Sequence, residues 1–507
     1  MTRINSNVNS LIAQRVLGQN NQALSTSLER LSTGLRINRA SDGPAGLIAS
    51  QNLRAEQAGL SSAISNAERA DQVANIAEGG LTEVSGLLTE LQGLVTASAN
   101  TAGLSTEEKE ANQLQIDSIL QTIDRLAEST SFQGEKLLNG SLDYETTNVA
   151  ATVDDFTVNR AKLGFGETRD VNLLVTQSAQ QGALLLSFGG ALDLSAADAT
   201  FVIELAGAKG SRELSFSSGT SLADFTAAIN TFTEVTGVSA ALSGATHVRL
   251  DTTELGSDHF VSVKVIDGAG ETGAIVTKDT VDVNADGGAG SVTTAFLAAG
   301  ATNGIKDLGQ DIVATINGVA ATGSGATARI NTEFLDVSVT LTTAGAQALA
   351  STNVLDITGG GADFQLAGDV NIAGKTSLGI GNVAARELGR SDDSGTARFL
   401  SDLGSGATLN IVDGDTSKAQ EVLDAAIKEV SGLRGKLGSF QSNTVGGTIR
   451  SLGVSLENTT AAESVIRDAD FASETAGLTR AQILSQSATQ ALTIANSQPQ
   501  NALALLG

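Results

Sequence analysis

The chain is organised around the stretch Ala49–Val95, which reads ASQNLRAEQAGLSSAISNAERADQVANIAEGGLTEVSGLLTELQGLV. Apolar residues recur in it at every third or fourth position, with Glu56 as the exception: Ala49, Leu53, Leu60, Ala63, Ala67, Ala70, Ala74, Ala77, Leu81, Val84, Leu88, Leu91 and Val95. This spacing, held over about six heptads, places one narrow stripe along a single helix and is typical of a coiled coil. From Pro44 onward the helix would be a rod of roughly 80 Å. Such a stripe requires a helical partner of comparable length.

The composition bounds the class of protein. With 507 residues the chain has room for several domains, and its 56 glycines, single Tyr144 and absent tryptophan predict thin cores of small residues. The formal net charge is −25, and residues 151–394 hold most of the acid, with 13 Lys and Arg against 28 Asp and Glu, a net −15. No basic stripe interleaved with aromatic residues appears, so we expect no binding to nucleic acid.

Cysteine, targeting and membrane signals are also missing from the sequence. Without cysteine there can be no disulfide and no thiolate metal site. The first residues show no apolar core with a cleavage site, and no apolar run is long enough to span a bilayer. We therefore expect no membrane insertion, and a chain that stays in the cytosol or is exported without cleavage.

The segments flanking this rod predict further helices and a hairpin. Residues 3–35 read as a helix with leucines at helical spacing: Leu17, Leu24, Leu28, Leu31 and Leu35. Gly34 and Gly43 permit a turn before the rod, for which Ser41 and Asp42 are favoured N-caps. After the rod, a helix begins at Thr106, and its apolar side carries Ile116, Ile119, Ile123 and Leu126. The segment 132–140, FQGEKLLNG, reads as a tight hairpin or turn.

The middle of the chain changes from a helical period to an alternating one. Residues 201–205, 261–265 and 335–341 alternate as strands do, and Ser221–Asn230 is the one clear helical patch. We therefore predict one or two β-rich domains over about 146–395. Because this insert would fold on its own strands, deleting 200–360 should harm the rest of the chain little.

The helical period returns near Ser417, where Gln420 stands at capping-box spacing. A second stripe follows: Ala419, Leu423, Ala426, Val430, Leu433, Leu437 and Phe440. Gly446 and Gly447 interrupt this stripe, which then resumes with a shift. From Thr475 onward the only charged side chain is Arg480, and Leu484, Ala488, Ala491 and Ala495 continue the stripe.

This order of elements predicts an α+β fold. The stripes at the two ends pair most simply with each other, giving a long antiparallel helical coiled-coil core with an inserted β-rich outer domain or domains. The terminal segments 1–35 and 475–507 cannot bury their apolar faces on a two-helix stem. They should fray in a monomer and become ordered against further copies, and a contact between copies that does not close into a ring gives a filament.

Several short motifs at both ends resemble bacterial flagellin. At the start these are Leu31–Asn38, LSTGLRIN, and Ser41–Leu47, SDGPAGL; the hairpin segment 132–140 also matches. At the far end they are Ile466–Ala472, IRDADFA, and Pro499–Leu506, PQNALALL. The match covers about half the chain, both ends in the right order. In addition, Ser221–Leu242 is similar to a small β/α motif of flagellins and hook-associated proteins.

The resemblance implies a structural subunit that self-assembles into the filament used for swimming. Residues 1–43 and 468–507 would form its inner tube, 44–145 and 396–467 the rod layer, and 146–395 the surface-exposed insert. The family is exported without a cleaved signal peptide through the flagellar export apparatus, and a cytoplasmic chaperone holds the C-terminal helix. The implied location is extracellular, among copies of the chain and hook-associated and cap proteins. Residues expected in the self-assembly seam are Leu24, Leu28, Leu31, Leu60, Leu81, Leu88, Leu423, Leu433, Leu437, Leu484, Ala488 and Ala491.

One family site can be compared residue by residue. Leu88–Asn100 aligns with the stretch by which Toll-like receptor 5 detects many flagellins, and Leu88 and Leu94 agree with the family pattern. Glu90 stands where detected flagellins carry arginine, and Gly93 where they carry glutamate. Because a reversed charge replaces attraction by repulsion, we expect poor activation of this receptor.

Motifs that suggest chemistry have simpler explanations. Gly368–Thr376 has five residues between its glycines where a phosphate-binding loop needs four, so it reads as a turn. The Asp413–Ser417 stretch lacks the glycine and glutamate of a calcium loop and reads as a helix cap. The two histidines, His247 and His259, do not form a zinc-peptidase motif. We expect no enzyme activity and no cofactor.

Two alternatives remain open at this stage. The hook–filament junction protein shares the N-terminal pattern, although the closing segment favours flagellin. A soluble coiled-coil signalling protein, from a different functional class, would form a stable long dimer and would have no use for an acidic β insert.

Overall fold

A computed structural model describes residues 7–100, 103–164, 166–188, 191–192, 194, 200–268, 275–278, 292–296, 298–393 and 396–504. These residues form two compact units. Unit 1 holds the described residues up to Leu81, Phe364–Thr376 and those from Ser431 onward. Unit 2 holds the described residues of Thr82–Asp363 and Ser377–Val430.

The helical ends predicted from the sequence are confirmed. The helices of the described residues are α1 Val8–Thr33, α2 Pro44–Ser98, α3 Thr106–Ser129, α4 Leu222–Asn230, α5 Thr233–Thr236, α6 Ala299–Asn303, α7 Thr343–Gln347, α8 Thr416–Ser439, α9 Gly446–Arg467 and α10 Phe471–Ala504. Short 3₁₀ turns lie at Ala40–Asp42 and Leu400–Leu403, and a π-helical turn at Phe440–Val445 joins α8 to α9.

Within unit 1, the stripe of α2 is buried, and hydrogen bonds join α2 in antiparallel order to the end of α8 and to the π-helical turn. The buried members are Leu60, Ala63, Ala67, Ala70, Ala74, Ala77 and Leu81. Arg434 donates to Glu78 at 2.9 Å and fixes the register of the two helices. Each fully buried leucine contributes about 1.5–3 kcal/mol and each alanine less, so the stability of this pair rests on a few large side chains among many small ones.

The shift in the second stripe has a cause that the sequence did not indicate. Gly446 and Gly447 were predicted to interrupt the stripe, and both lie in the first turn of α9, within a continuous helix. The extra residue is instead taken up by the π-helical turn, which places Phe440 and Val445, five positions apart, in the core. A π turn inserts one residue per turn into a continuous helix, and this extra residue accounts for the shift of the stripe.

The predicted insert is not continuous, because Phe364–Thr376 belongs to unit 1. The ring of Phe364 packs on Phe440 with centroids 5.7 Å apart. The backbone of Gly368 lies directly on α2, and a Cβ at Gly59 would stand 3.0 Å from the Gly368 carbonyl oxygen. Within the predicted insert 146–395, this loop therefore packs on the helices of unit 1.

Unit 2 contains the rest of the α2 stripe, with Leu88, Leu91 and Val95 buried. Helix α3 begins with a capping box between Ser105 and Glu108. The predicted hairpin is confirmed as the strand pair Ser131–Phe132 and Glu135–Lys136, joined by a turn in which Gln133 and Gly134 have positive φ.

The start of α8 corrects a predicted cap. Ser417 and Gln420 were expected to form a capping box, but Asp415 Oδ1 accepts the backbone N–H of Ser417 at 2.9 Å. Aspartate accepts such bonds as well as serine does and also complements the helix dipole. The capping interpretation of Asp413–Ser417 is therefore confirmed, with Asp415 as the capping residue.

The β-rich middle predicted from the sequence is also confirmed. The strands are β1 Ser131–Phe132, β2 Glu135–Lys136, β3 Tyr144–Thr147, β4 Val153–Ala161, β5 Arg169–Gln177, β6 Ala183–Ser187, β7 Thr200–Gly207, β8 Ser211–Ser217, β9 Val238–Ser243, β10 His247–Thr252, β11 Phe260–Asp267, β12 Ile275–Lys278, β13 Val292–Ala295, β14 Ile305–Leu308, β15 Val313–Ile316, β16 Val319–Ala320, β17 Thr322–Ser324, β18 Thr327–Asn331, β19 Leu335–Leu341, β20 Ser351–Gly360, β21 Ala362–Gln365, β22 Lys375–Leu378, β23 Ser391–Asp393 and β24 Thr396–Arg398.

Two separate hydrophobic cores divide the strands of unit 2. The first sandwich packs the sheet β16-β15-β5-β20-β3 against β17-β18-β19-β4, and its core runs from Tyr144 to Ala179 and from Ile312 to Ile357. The second sandwich packs β13-β12-β6-β10-β9 against β14-β11-β7-β8, and its core lies within Leu184–Ala301.

The second sandwich departs from the thin core that the composition predicted. Helix α4 buries its apolar face on the sheets, and five phenylalanines meet there with centroids 4.3–6.5 Å apart: Phe188, Phe201, Phe216, Phe225 and Phe296. Aromatic pairs at this spacing add about 0.5–1.5 kcal/mol each beyond their burial. The chain has few aromatic residues, and five of them therefore lie together in the core of the second sandwich.

Tyr144 closes the core of the first sandwich. Its hydroxyl accepts the backbone N–H of Ala161 at 2.9 Å, and burial raises the pKa of the phenol to about 12. Because this pKa exceeds the unfolded value near 10, the neutral phenol favours the folded state below pH 10, and this contribution is lost as the pH rises through about 12.

We expect Tyr144→Phe to lower the free energy of unfolding by about 1–3 kcal/mol, because the Ala161 N–H loses its acceptor. Urea denaturation followed by circular dichroism measures this loss. As Tyr144 is the only tyrosine and tryptophan is absent, phenolate absorbance checks the pKa directly, with titration near pH 10 in denaturant as the control. An unchanged urea midpoint would contradict the assigned role.

Candidate assembly surface

The two terminal helices, α1 and α10, pack on each other in antiparallel fashion within unit 1. Over the part of α10 whose burial is described, up to residue 498, the buried positions are Ala481, Ala488 and Ala495, seven residues apart, and Ser10 is the buried residue of α1. A seven-residue repeat of small side chains forms a narrow coiled-coil seam. This seam removes little apolar area from water.

Polar side chains fix the register of the terminal pair. Asn7 Nδ2 donates to the Ala495 carbonyl at 2.7 Å, and Ser10 Oγ bonds to Asn496 Oδ1 at 2.6 Å. At the other end of the pair, Arg30 and Glu474 form a partly buried ion pair at 3.1 Å. These bonds orient the helices, but hydrogen bonds that water can replace contribute only about 1 kcal/mol each.

Most large apolar side chains of the terminal pair point away from its seam. Nine of them are between 38% and 67% exposed. These nine residues are called the assembly surface: Val8, Leu11, Ile12, Val16, Leu28, Phe471, Ile483, Leu484 and Ile494. Contiguous exposed apolar patches mark interaction sites on soluble proteins. The pair therefore leaves these nine side chains available for a further partner.

The structure divides the predicted self-assembly seam into three groups. Leu60, Leu81, Leu88, Leu423, Leu433 and Leu437 are buried within the subunit. They form its own core and cannot contact a second copy while the helices stay packed. Leu24, Leu31 and Ala488 lie between α1 and α10, half-buried or buried. Leu28, Leu484 and Ala491 are exposed.

Leu484 and Ala491 are exposed and do not continue the stripe of α10, contrary to the sequence prediction. The alanines at 481, 488 and 495 occupy the seam, since small residues let the helix backbones approach more closely than leucine would. The seven-residue spacing of these alanines is present in the sequence. The charge-poor segment that follows Thr475, which carries Ile483 and Ile494, is also present there.

Two connectors meet between the terminal pair and the longer helices of unit 1. The backbone N–H of Arg36 donates to the Arg467 carbonyl at 2.7 Å, and that of Ala469 to the Gly34 carbonyl at 2.9 Å. Gly34 ends α1 with a φ of 74°, a conformation that favours glycine. One short antiparallel ladder therefore joins the two connectors to each other.

Asp42 lies in the first of these connectors and does not cap α2, contrary to the sequence prediction. Its carboxylate accepts the backbone N–H groups of Asn38 at 3.0 Å and Arg39 at 2.9 Å. The Arg39 bond, followed by the Asn38 bond, lowers the pKa of Asp42 from its usual value. Asp42 therefore stabilises the loop that precedes α2 and does not cap the helix.

The receptor-like stretch of α2 is split by the packing of unit 2. Leu88 is buried and Leu94 half-buried, whereas Glu90 and Gly93 are exposed on the opposite side. A partner that meets this face would therefore contact Glu90 and Gly93 and would not reach Leu88.

The motifs that suggested chemistry adopt ordinary structures. Gly368–Thr376 contains a tight turn in which Asn371 Oδ1 accepts the Gly374 N–H at 2.6 Å. His259 lies 3.3 Å from the carboxylate of Glu254. Among the described residues, no group of three or more His, Cys, Asp or Glu side chains could hold a metal ion. None of the described helices is long and apolar enough to cross a membrane.

Comparisons with known families cover the two helical ends of the chain. The bacterial flagellin N-terminal helical region matches residues 4–143, and the bacterial flagellin C-terminal helical region matches residues 420–506. These spans contain α1, α2 and α3 at one end and α9, α10 and most of α8 at the other.

Curated relatives match over the full length. The flagellin of Salmonella typhimurium is 29% identical, and the alignment covers 99% of each chain. Flagellin B of Helicobacter pylori is 28% identical, again over 99% of each chain. Among solved structures, FliC from Burkholderia pseudomallei is 17% identical, with a TM-score of 0.23 over 74% of this chain and 99% of that one.

Proposed function

The chain belongs to the bacterial flagellin family and is a structural subunit of the flagellar filament, and we propose that α1 and α10 carry the contacts between its copies. The observation that supports this is the assembly surface, on which nine large apolar side chains stay exposed in the single subunit. Burying one such side chain is worth about 1.5–3 kcal/mol. A homopolymer would supply that burial at every subunit.

The proposed layers separate the terminal helices, α1 and α10, from the other helices at the two ends of the chain. Residues 1–43 and 468–507 would form the inner tube, and 44–145 with 396–467 the rod layer. Residues 146–395 would project outward, with Phe364–Thr376 assigned to the rod layer because it packs on α2 and Phe440. The net charge of −15 over 151–394 suits a solvated outer surface.

The other partners of the subunit are proposed from family membership. The subunit would pass through the flagellar export apparatus without a cleaved signal peptide, and a cytoplasmic chaperone would cover α10 before export. An apolar, charge-poor helix needs such a cover because its exposed face promotes aggregation. Hook-associated and cap proteins would contact the extracellular polymer at its ends. The subunit would act without enzyme activity or a cofactor.

The proposal is tested by seeded polymerisation of the purified chain, followed by negative-stain microscopy. Filaments are the expected product, and amides of α1 and α10 should exchange hydrogen quickly in dilute subunits and slowly in filaments, because the alanine seam alone is a weak support. Dispersed rods of a stable dimer would favour a coiled-coil signalling protein. Strong protection of both helices in the dilute subunit would contradict the assembly mechanism.

We further propose that Toll-like receptor 5 detects this chain poorly. The exposed Glu90 and Gly93 offer neither the positive nor the negative charge found at these positions in detected flagellins. The variant Glu90→Arg with Gly93→Glu should raise the response of reporter cells at least about tenfold, because a restored charge pair is worth about 1.5 kcal/mol or more.

The second substitution leaves the helix intact, since a side chain at Gly93 meets open space. Lys substitutions at the exposed Thr89 and Thr96 provide a control for added charge on the same helix. A nanomolar response to the purified, unsubstituted subunit would contradict this proposal.

A further inference from the structure

The sequence contains three Asn–Gly pairs, at Asn139–Gly140, Asn303–Gly304 and Asn317–Gly318. In such a pair the glycine amide nitrogen can attack Cγ of asparagine, because glycine has no Cβ to obstruct the approach. The attack closes a succinimide ring and releases the side-chain nitrogen as ammonia. Water then opens the ring to aspartate or isoaspartate. We propose that Asn303 is the site of this modification and that the fold protects the other two pairs.

Asn317 is held on a neighbouring strand. It lies in the turn between β15 and β16 with a φ of 49°. Its Oδ1 accepts the backbone N–H of Asn172 at 2.9 Å, and its Nδ2 donates to the Asp170 carbonyl at 3.0 Å. The side chain must break both bonds before Cγ can turn towards Gly318, so the reactive geometry is rarely populated.

Asn139 is restrained in a different way. The residue is half-buried at the end of the hairpin, and its Oδ1 accepts the backbone N–H of Ser141 at 3.1 Å. Its side chain also hydrogen-bonds to the carboxylate of Glu128. Gly140 is confined too, since a Cβ there would stand 3.2 Å from Asn382. Both partners of the cyclisation are therefore fixed.

Asn303 has none of these restraints. It is the exposed last residue of α6, and within the described part of the chain its side chain makes no hydrogen bond. The attacking nitrogen, that of Gly304, makes only a long bond of 3.3 Å to the Ala301 carbonyl. Helix α6 has five residues and no side-chain cap at its start, and so short a helix opens its last turn at little cost.

The product would change the second sandwich at one edge. Isoaspartate adds a carbon to the backbone immediately before β14, whose Ile305 pairs with Val263 of β11. The neighbouring Gly304 lies beside Lys264, since a Cβ at Gly304 would stand 3.6 Å from the Cβ of Lys264, and this lysine already pairs with Glu204 at 3.4 Å. We expect faster hydrogen exchange of the β14–β11 amides in the modified chain, because the ladder must absorb the added length.

The test is incubation of the full chain at mildly alkaline pH, with aspartate and isoaspartate mapped by peptide mass spectrometry. Conversion at Asn303 should be at least about tenfold faster than at Asn139 or Asn317, since each hydrogen bond that must open slows the reaction severalfold. In denaturant the three rates should become similar, which separates the effect of the fold from that of sequence.

Asn303→Ala should remove the rapid phase and leave the other two sites unchanged. Native conversion at Asn139 or Asn317 as fast as at Asn303 would overturn the proposal. So would a persistent preference for Asn303 in denaturant, because the selectivity would then come from the sequence alone.

Discussion

Leu484→Asp should abolish filament formation and leave the single subunit folded. Leu484 is 46% exposed in the subunit, so a charge there meets water and should change the free energy of unfolding by no more than about 1 kcal/mol. In the filament the same charge would be buried without a partner, at a cost of about 3–5 kcal/mol. Because every subunit carries the substitution, the penalty repeats along the polymer.

Two matched variants separate assembly from folding. Gln482→Asp adds the same charge at an exposed neighbouring position without removing apolar area, and it should polymerise more readily than Leu484→Asp. Ala488→Asp places the charge in the α1–α10 seam and should lower helicity in the subunit as well. The measurements are pelleting, microscopy and circular dichroism. Normal filaments from Leu484→Asp would show that the assembly surface stays in contact with water.

The sequence predicted the helical parts well because their signal is local and repeated. The stripe from Leu60 to Val95 is buried along its length, and a period of three and four residues specifies a helix regardless of its surroundings. What the period could not reveal is which partner covers each turn. The placement of Leu484 depended on whether leucine or alanine faces α1, and this is a property of the packed pair.

The errors have a common physical origin in contacts between distant parts of the chain. The π-helical turn places both Phe440 and Val445 in the core, and the loop Phe364–Thr376 packs where Gly368 closely approaches Gly59. Neither can be read from a local pattern, since a glycine pair or a glycine-rich loop has many uses. Similarly, the five phenylalanines of the second sandwich are scattered over more than a hundred residues.

The two cores of unit 2 also correct the expected result of a deletion. Removing 200–360 was expected to be mild, but it would take β15 to β20 out of the first sandwich and expose the core residues that remain, which include Val171 and Leu173. Such a chain should be insoluble, because the remaining strands cannot cover their apolar face. The natural boundary lies elsewhere, at the antiparallel bridge between Gln180 and Gln310.

We expect deletion of residues 181–309, with Gly-Asn joining Gln180 to Gln310, to leave a folded subunit that still polymerises. The backbones of these two glutamines already exchange bonds of 2.8 and 2.9 Å, the pairing that a two-residue hairpin turn closes. The deletion removes β6 to β14 together, and none of these strands supplies a buried residue to the core of the first sandwich, against whose edge Leu255 of the β10–β11 loop packs.

The contrast between the two deletions is the measurement. The short variant should keep a cooperative urea transition with a Tyr144 phenolate pKa near 12, since that tyrosine lies in the surviving sandwich. Its filaments should match those of the full chain in pelleting yield, because the assembly surface lies on α1 and α10. A soluble 200–360 deletion together with an aggregated 181–309 deletion would show that the two cores were divided in the wrong place.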